Sequence, residues 1–234
     1  MSDAICIGIN GAESTGKTTL AAELAAALGQ ATGQPVAWVP EVLRQWCENT
    51  GRTPLAHEQA NILRSQHQRI DAAARQHPLV VCDTTGLMTA VYSRAVFGDR
   101  TLDERAAVLH RRSIRMTLLT AIDLPWVADG FLRDGPQVRE PVDRMLRELM
   151  QTHGIAFAVV SGEGPKRLQQ ALAAVQGLLR PAAAAPQGSG RFSGLTGAGA
   201  GSERGPRTWA CECCLPDQER ALRRRQAAQQ NQAQ

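Results

Sequence analysis

Apolar positions alternate between two rhythms over the first 180 residues of the chain. Ile5-Cys6-Ile7-Gly8-Ile9, Val36-Ala37-Trp38-Val39, Leu79-Val80-Val81-Cys82, Met116 to Ile122 and Ile155 to Val160 are short, nearly unbroken apolar runs. They are rich in β-branched residues and too short for core helices. They predict buried strands at about 4–10, 36–39, 79–83, 116–122 and 155–160. Longer stretches of mixed polarity between them predict helices at about 17–29, 42–49, 57–76, 86–97, 101–113, 138–152 and 165–179. Glycine and proline supply the breaks: Gly29, Gly33 and Pro35, then Gly51 and Pro54, then Gly98-Asp99, with 124–136 as a loop.

Five apolar strands separated by helices predict an α/β fold with a five-stranded parallel sheet covered on both faces, a three-layer arrangement. Right-handed crossovers place a ligand at the carboxyl ends of such strands. Asn10, Glu41, Asp83 and Asp123 all stand at or just after predicted strand ends. They are expected to converge on one crevice.

Immediately after the first strand the chain reads Gly11-Ala12-Glu13-Ser14-Thr15-Gly16-Lys17-Thr18-Thr19. The first eight residues fit G-x-x-x-x-G-K-[ST], the phosphate-binding loop, in its required strand–loop–helix setting. Backbone N–H groups of Gly11 to Thr19 would face a polyphosphate at the positive end of the helix dipole. Gly11 and Gly16 allow the close backbone approach. Lys17 would reach the β- and γ-phosphates of ATP, and the Thr18 hydroxyl would hold Mg²⁺.

Composition changes after residue 180. Ala, Gly, Pro, Ser, Arg and Gln dominate 181–234, too little apolar surface to offset ordering entropy. The expectation is a domain at 1–180 and a mostly disordered tail at 181–234. The net charge is +4. The cluster at Arg220 and Arg223 to Arg225 reads as a solvated helix face, so no nucleic-acid partner is expected. Cys211, Cys213 and Cys214 supply three thiols, one short of the four ligands a closed zinc site wants, and metal binding there stays open beside an unmetallated cluster. Cys6 and Cys82 fall in predicted buried strands, unlike a secreted disulfide framework. With no signal peptide and no run of 18 apolar residues, a cytoplasmic enzyme without membrane contact is expected.

Candidate chemistry gathers at the strand ends. Asp83 could bind Mg²⁺ or simply cap the next helix. Glu41 could accept a proton from a hydroxyl nucleophile, hold sugar hydroxyls, or complement the helix dipole. Arg44, one turn on, could steer Glu41 or touch phosphate. The segment from Asp123 through Trp126, Asp129 and Arg133 to Gly135 has the hinge residues of a lid, whose arginine would stabilise transferred charge. Arg133 and Arg139 are both candidates for that arginine. Trp126, in a loop, could stack on a flat base; Trp46, on a helix, reads more as packing.

The phosphate loop with Glu13 inside it, Val39-Pro40-Glu41 with Arg44, Asp83-Thr84 with Thr89 and Phe97-Gly98, and Asp123-Leu124-Pro125-Trp126 through Asp129-Gly130 and Arg133 occur in one order. Together they resemble the ribosylnicotinamide kinase domain of NadR-type proteins over roughly residues 4–180. The resemblance implies a P-loop nucleotide-kinase-like fold and transfer of the ATP γ-phosphate to the 5′-hydroxyl of nicotinamide riboside, giving nicotinamide mononucleotide. It implies Lys17, Glu41 and Arg133 as catalytic residues. It also implies Glu41, Arg44, Trp126 and Asp129 at the acceptor, and Thr18 and Asp83 at Mg²⁺. The DNA-binding and adenylyltransferase activities of NadR proteins are not expected, and the lid has one residue more between Gly130 and Arg133 than the family pattern. The competing expectation is a nucleotide-dependent regulatory ATPase acting on a protein partner. A GTPase is disfavoured by the lack of an Asn-Lys-x-Asp motif.

Overall fold

A computed structural model describes residues 4–127 and 135–179, all within one compact unit, Met1–Ala183. The strands are β1 (Ile5–Asn10), β2 (Val36–Val39), β3 (Leu79–Asp83), β4 (Met116–Thr120) and β5 (Ala158–Val160). The helices are α1 (Lys17–Thr32), α2 (Val42–Thr50), α3 (Ala56–Ala74), α4 (Gly86–Phe97), α5 (Asp103–Ser113), α6 (Arg139–Thr152) and α7 (Pro165–Leu179). A 3₁₀ turn, Pro136–Val138, leads into α6.

All five strands are parallel, in the order β2-β3-β1-β4-β5. The order reverses at β1, which places a crevice above its carboxyl end. Side chains alternate across the sheet. Ile7, Ile9, Val81 and Leu118 pack on one face against Leu20, Leu24 and Leu28 of α1 and Ala171 and Val175 of α7. Cys6, Val80 and Cys82 turn to the other face with Ile70 of α3. Beyond them α4, α5 and α6 build a second cluster around Leu87, Val91, Ala106, Val142 and Leu146. The three layers are those the apolar rhythm predicts.

Several boundaries depart from the sequence reading, among them those of α1, β4 and β5. Helix α1 runs through Gly29 to Thr32, because the left-handed cap belongs to Gly33 (φ 66°), whose N–H donates to the Gly29 carbonyl. Strand β4 stops at Thr120, two residues before the expected end. Strand β5 starts at Ala158, because Ile155 is spent elsewhere: its N–H closes on Met150 O at 2.8 Å and its side chain joins the α4–α6 cluster.

At the centre of the sheet Gly8 permits a close approach. A Cβ there would lie 2.6 Å from Thr85 Cγ2, so the start of α4 can settle onto β1. Thr85 uses that proximity. Asn10 Oδ1 accepts from the Thr85 hydroxyl at 2.9 Å and from its N–H at 3.2 Å. The same hydroxyl meets His110 Nδ1 at 3.1 Å, and His110 Nε2 meets Thr117 Oγ1 at 2.8 Å. Burial holds His110 neutral, with a pKa pushed down to about 3.

Candidate functional site

Loop 11–16 wraps the end of β1 and is fixed from beneath. A Cβ on Gly11 would stand 2.0 Å from Thr120 Oγ1, so only glycine fits. The Thr15 hydroxyl donates to Ala12 O at 2.8 Å and lies 2.7 Å from the Thr120 hydroxyl, which reaches Asn10 O at 3.3 Å. Lys17 Nζ donates to Ala12 O at 2.7 Å. The first turn of α1 carries no acidic residue, so its dipole faces the loop uncancelled.

Glu41 and Asp83, from the ends of β2 and β3, meet Lys17 and Arg44 across this loop. Burial pushes the Glu41 carboxyl upward; the Lys17 and Arg44 charges oppose the shift, and those of Asp83 and Glu13 reinforce it. Its side chain is 12% exposed, with Arg44 Nε at 3.9 Å from Oε2. Burial also raises Asp83, opposed by hydrogen bonding from the Thr18 hydroxyl and by Lys17 and Arg44. Two carboxylate oxygens, Glu13 Oε2 and Asp83 Oδ1, are buried without a hydrogen-bond partner. Glu13, Lys17, Thr18, Glu41, Arg44 and Asp83 therefore form one constellation.

Asp123 does not join it. Its carboxylate is taken up by Arg167 and by the Gly162 N–H, which donates to Oδ2 at 2.6 Å. Arg167 also donates from Nη1 to Thr15 O at 2.6 Å and from Nε to Gly162 O at 2.7 Å. Asp123 thus acts beneath the loop, and the expectation that it would line the crevice is corrected. Asn10 is likewise committed, through Oδ1, to Thr85. Neither Arg167 nor its target carbonyl has a sequence signal, since the contact spans 152 positions.

Trp46 is half-buried, with the Arg52 guanidinium 4.8 Å from its ring centroid. Glu58 grips that arginine with both oxygens at 2.7 Å. One face of Trp46 is therefore covered from within the chain. Trp126 differs, since its Nε1 is buried without an acceptor. Next to it, Ser14 of the loop donates to Val127 O at 2.9 Å and accepts from Val127 N at 3.2 Å. The exit from β4 is thereby tied to the phosphate loop. Arg139 is 8% exposed, and its Nε and Nη2 lack partners. Asp129 and Arg133 lie outside the described residues, as do Cys211, Cys213, Cys214 and all of 181–234. Among the described residues no cluster of three or more His, Cys, Asp or Glu side chains could hold a metal ion, and no helix is long and apolar enough to cross a membrane.

A glycine-cradled loop at the switch point of a parallel sheet, with carboxylates on the neighbouring strand ends, defines a P-loop nucleotide-binding domain of kinase-type architecture. The profile of a family described as "AAA domain" matches residues 6–167, and the chain belongs to that family. No curated protein matches the chain. Among solved structures the fold is similar to NadR protein in complex with NAD and AMP-PNP (TM-score 0.60, 17% identity, 74% of this chain and 49% of that one). It is equally similar to NadR protein in complex with NR (TM-score 0.61, 18% identity, 74% and 50%). Thymidylate kinase from Ehrlichia chaffeensis also matches (TM-score 0.52, 16% identity, 75% and 98%). The chain spans about half the length of the NadR structures. The resemblance seen in the motifs thus extends to the fold.

Proposed function

We propose that this protein transfers the γ-phosphate of ATP to the 5′-hydroxyl of a nucleoside, with nicotinamide riboside as the preferred acceptor and nicotinamide mononucleotide as product. The observation that carries this reading is the charge on the acceptor side of the loop. Glu13 and Glu41 are both secluded there, and Arg44 is already shared with Glu41 and Asp83. Such a crevice suits a neutral or cationic nucleoside with hydroxyls to donate, and repels an acceptor that already carries phosphate.

In this mechanism the loop N–H groups and Lys17 hold the β- and γ-phosphates and balance the charge that spreads over the transferred group. Glu41 accepts the proton of the 5′-hydroxyl. Its raised pKa makes it a better base than an ordinary carboxylate. The acceptor oxygen bonds to the γ-phosphorus as the bond to the bridging oxygen breaks, leaving ADP. The Thr18 hydroxyl and the unpartnered Asp83 Oδ1 are hard oxygen donors that would hold Mg²⁺. When bound, that ion would neutralise phosphate charge. Trp126 offers a ring on which a pyridinium gains about 0.5–2 kcal/mol. Asp129 and Arg133 complete the site through the family resemblance, with Arg139 as a second source of the arginine.

The test is a screen of acceptors with ATP and Mg²⁺, read by product mass. Nicotinamide riboside should outpace adenosine, uridine, thymidine and their monophosphates. Faster turnover of thymidine or of thymidine monophosphate would refute the acceptor. ATP hydrolysis indifferent to every nucleoside would move the chain to a regulatory ATPase.

A further inference from the structure

Strands β2 and β3 pair only as far as Val39 and Cys82. Beyond that rung the two chains run on to Glu41 and Asp83 with no backbone hydrogen bond between them. The two carboxylates of the site therefore hang from strand ends that the sheet itself no longer joins.

A side chain from α3 closes the gap. Gln66 is 2% exposed. Its Oε1 accepts from the Val42 N–H at 2.8 Å, and its Nε2 donates to Thr84 O at 3.2 Å and Pro40 O at 3.4 Å. The orientation of the amide is fixed by its partners, since an N–H can only donate and the two carbonyls only accept. Pro40 and Val42 flank Glu41, and Thr84 follows Asp83. A carboxamide has the polar groups of a peptide unit, so Gln66 supplies the next rung of the β2–β3 ladder. All three bonds reach backbone, so Gln66 itself occupies neither carboxylate.

We propose that Gln66 is a positioning residue that sets the separation and aim of Glu41 and Asp83; its effect on turnover rests on the kinase reading above. Its amide is committed to backbone, so it acts through the two carboxylates. A methionine fills similar volume and offers neither the donor nor the acceptor. The phosphate loop is held through Thr15, Thr120 and Arg167, none of which depends on Gln66.

The experiment compares wild type with Gln66→Met, Glu41→Gln and the double variant in full-length protein. Three measurements are made: acceptor-dependent turnover, ATP affinity with and without Mg²⁺, and hydrogen exchange at the Val42 amide. Gln66→Met should lower kcat about 30-fold or more, leave the Kd for ATP measured without Mg²⁺ within about threefold, and raise Val42 exchange at least tenfold. In the Glu41→Gln background the same substitution should cost less than about threefold in kcat, because residues acting through one another are not additive. Full multiplicative losses in the double variant, or a kcat loss matched by an equal loss of Mg²⁺-free ATP affinity, would overturn the proposal and leave Gln66 as a packing residue. Unchanged Val42 exchange would overturn it also. A wild-type protein that phosphorylates no acceptor refutes the kinase reading alone; Val42 exchange and the ratio of Mg²⁺-dependent to Mg²⁺-free ATP affinity then decide Gln66, which should lose at least fivefold in that ratio as Met and is refuted if it does not. Should Gln66→Met fail to fold, Gln66→Glu keeps an acceptor for Val42, can donate to only one of the two carbonyls even when its buried carboxyl is protonated, and serves the same comparison.

Discussion

Arg167→Met should weaken nucleotide binding from beneath the loop, without removing any group that touches phosphate. A peptide unit is planar and trans, so holding Thr15 O in one direction aims the N–H of Gly16 in the other. Arg167 Nη1 holds that oxygen at 2.6 Å. Methionine keeps much of the apolar stem and removes the fork. The buried Thr15 carbonyl then loses a charged donor, at about 1–3 kcal/mol. The Gly162 bond adds about 1 kcal/mol. The pair with Asp123, whose side chain is 34% exposed and can rehydrate, adds no more than about 1 kcal/mol. The sum is about 2–5 kcal/mol, or roughly 4–20 °C in Tm for a domain of this size. Arg112→Met is the matched control. Arg112 meets Asp71 at 2.6 Å, but the side chains are 53% and 35% exposed, so its loss should cost under about 1 kcal/mol. In a fluorescent-nucleotide titration Arg167→Met should raise the Kd for ATP about 10-fold to 100-fold, the worth of one misaimed charge-assisted hydrogen bond, and Arg112→Met should not move it. Equal melting shifts for the two variants, or a destabilised Arg167→Met with unchanged ATP affinity, would refute this reasoning.

Glu41→Gln should stabilise the fold at neutral pH while lowering turnover. Burial raises the folded-state pKa of Glu41, so ionisation above that pKa works against folding, and the neutral amide escapes the penalty; the gain in Tm should shrink toward zero as pH falls below the ordinary carboxylate value near 4. Melting curves from pH 3 to 8 check the sign, and a gain that grows on acidification would contradict it. Gly8→Ala should cost about 1–3 kcal/mol, because the added Cβ presses Thr85 Cγ2 at 2.6 Å and Thr85 is held by Asn10 and His110. Urea denaturation should show a lower midpoint with unchanged slope, and an unchanged midpoint would mean that Thr85 can yield.

The sheet was legible because its strands are nearly continuous apolar runs, a pattern that survives without knowledge of partners. The phosphate loop was legible because its glycines answer local demands, such as the 2.0 Å contact a Cβ on Gly11 would make with Thr120. Glu41 and Asp83 could be proposed from position alone, since strand ends at a switch point face one crevice. Asp123 satisfied the same rule and went elsewhere, because Arg167 arrives from the last helix and claims it. Gln66 left no trace: within a polar helix it reads as a solvent-facing residue, and only the end of the β2–β3 pairing reveals its use. Gly29 misled in a related way, since a glycine near a helix end is a stop only when its own backbone turns left-handed, and here Gly33 does so.

The outermost strands of the sheet, β2 and β5, are its shortest, at four and three residues. Each presents its outer row of backbone groups to whatever lies beside it. A foreign strand docking on so short a margin would gain about two net hydrogen bonds, near 2 kcal/mol. Association costs at least about 4 kcal/mol in lost freedom, so such a contact does not persist. Trp38, 44% exposed on β2, adds apolar surface there without lengthening the rail. The brevity that leaves Glu41 in need of a side-chain rung is thus also a guard against templated strand addition, and lengthening β2 to steady the site would expose the protein to the aggregation that short margins prevent.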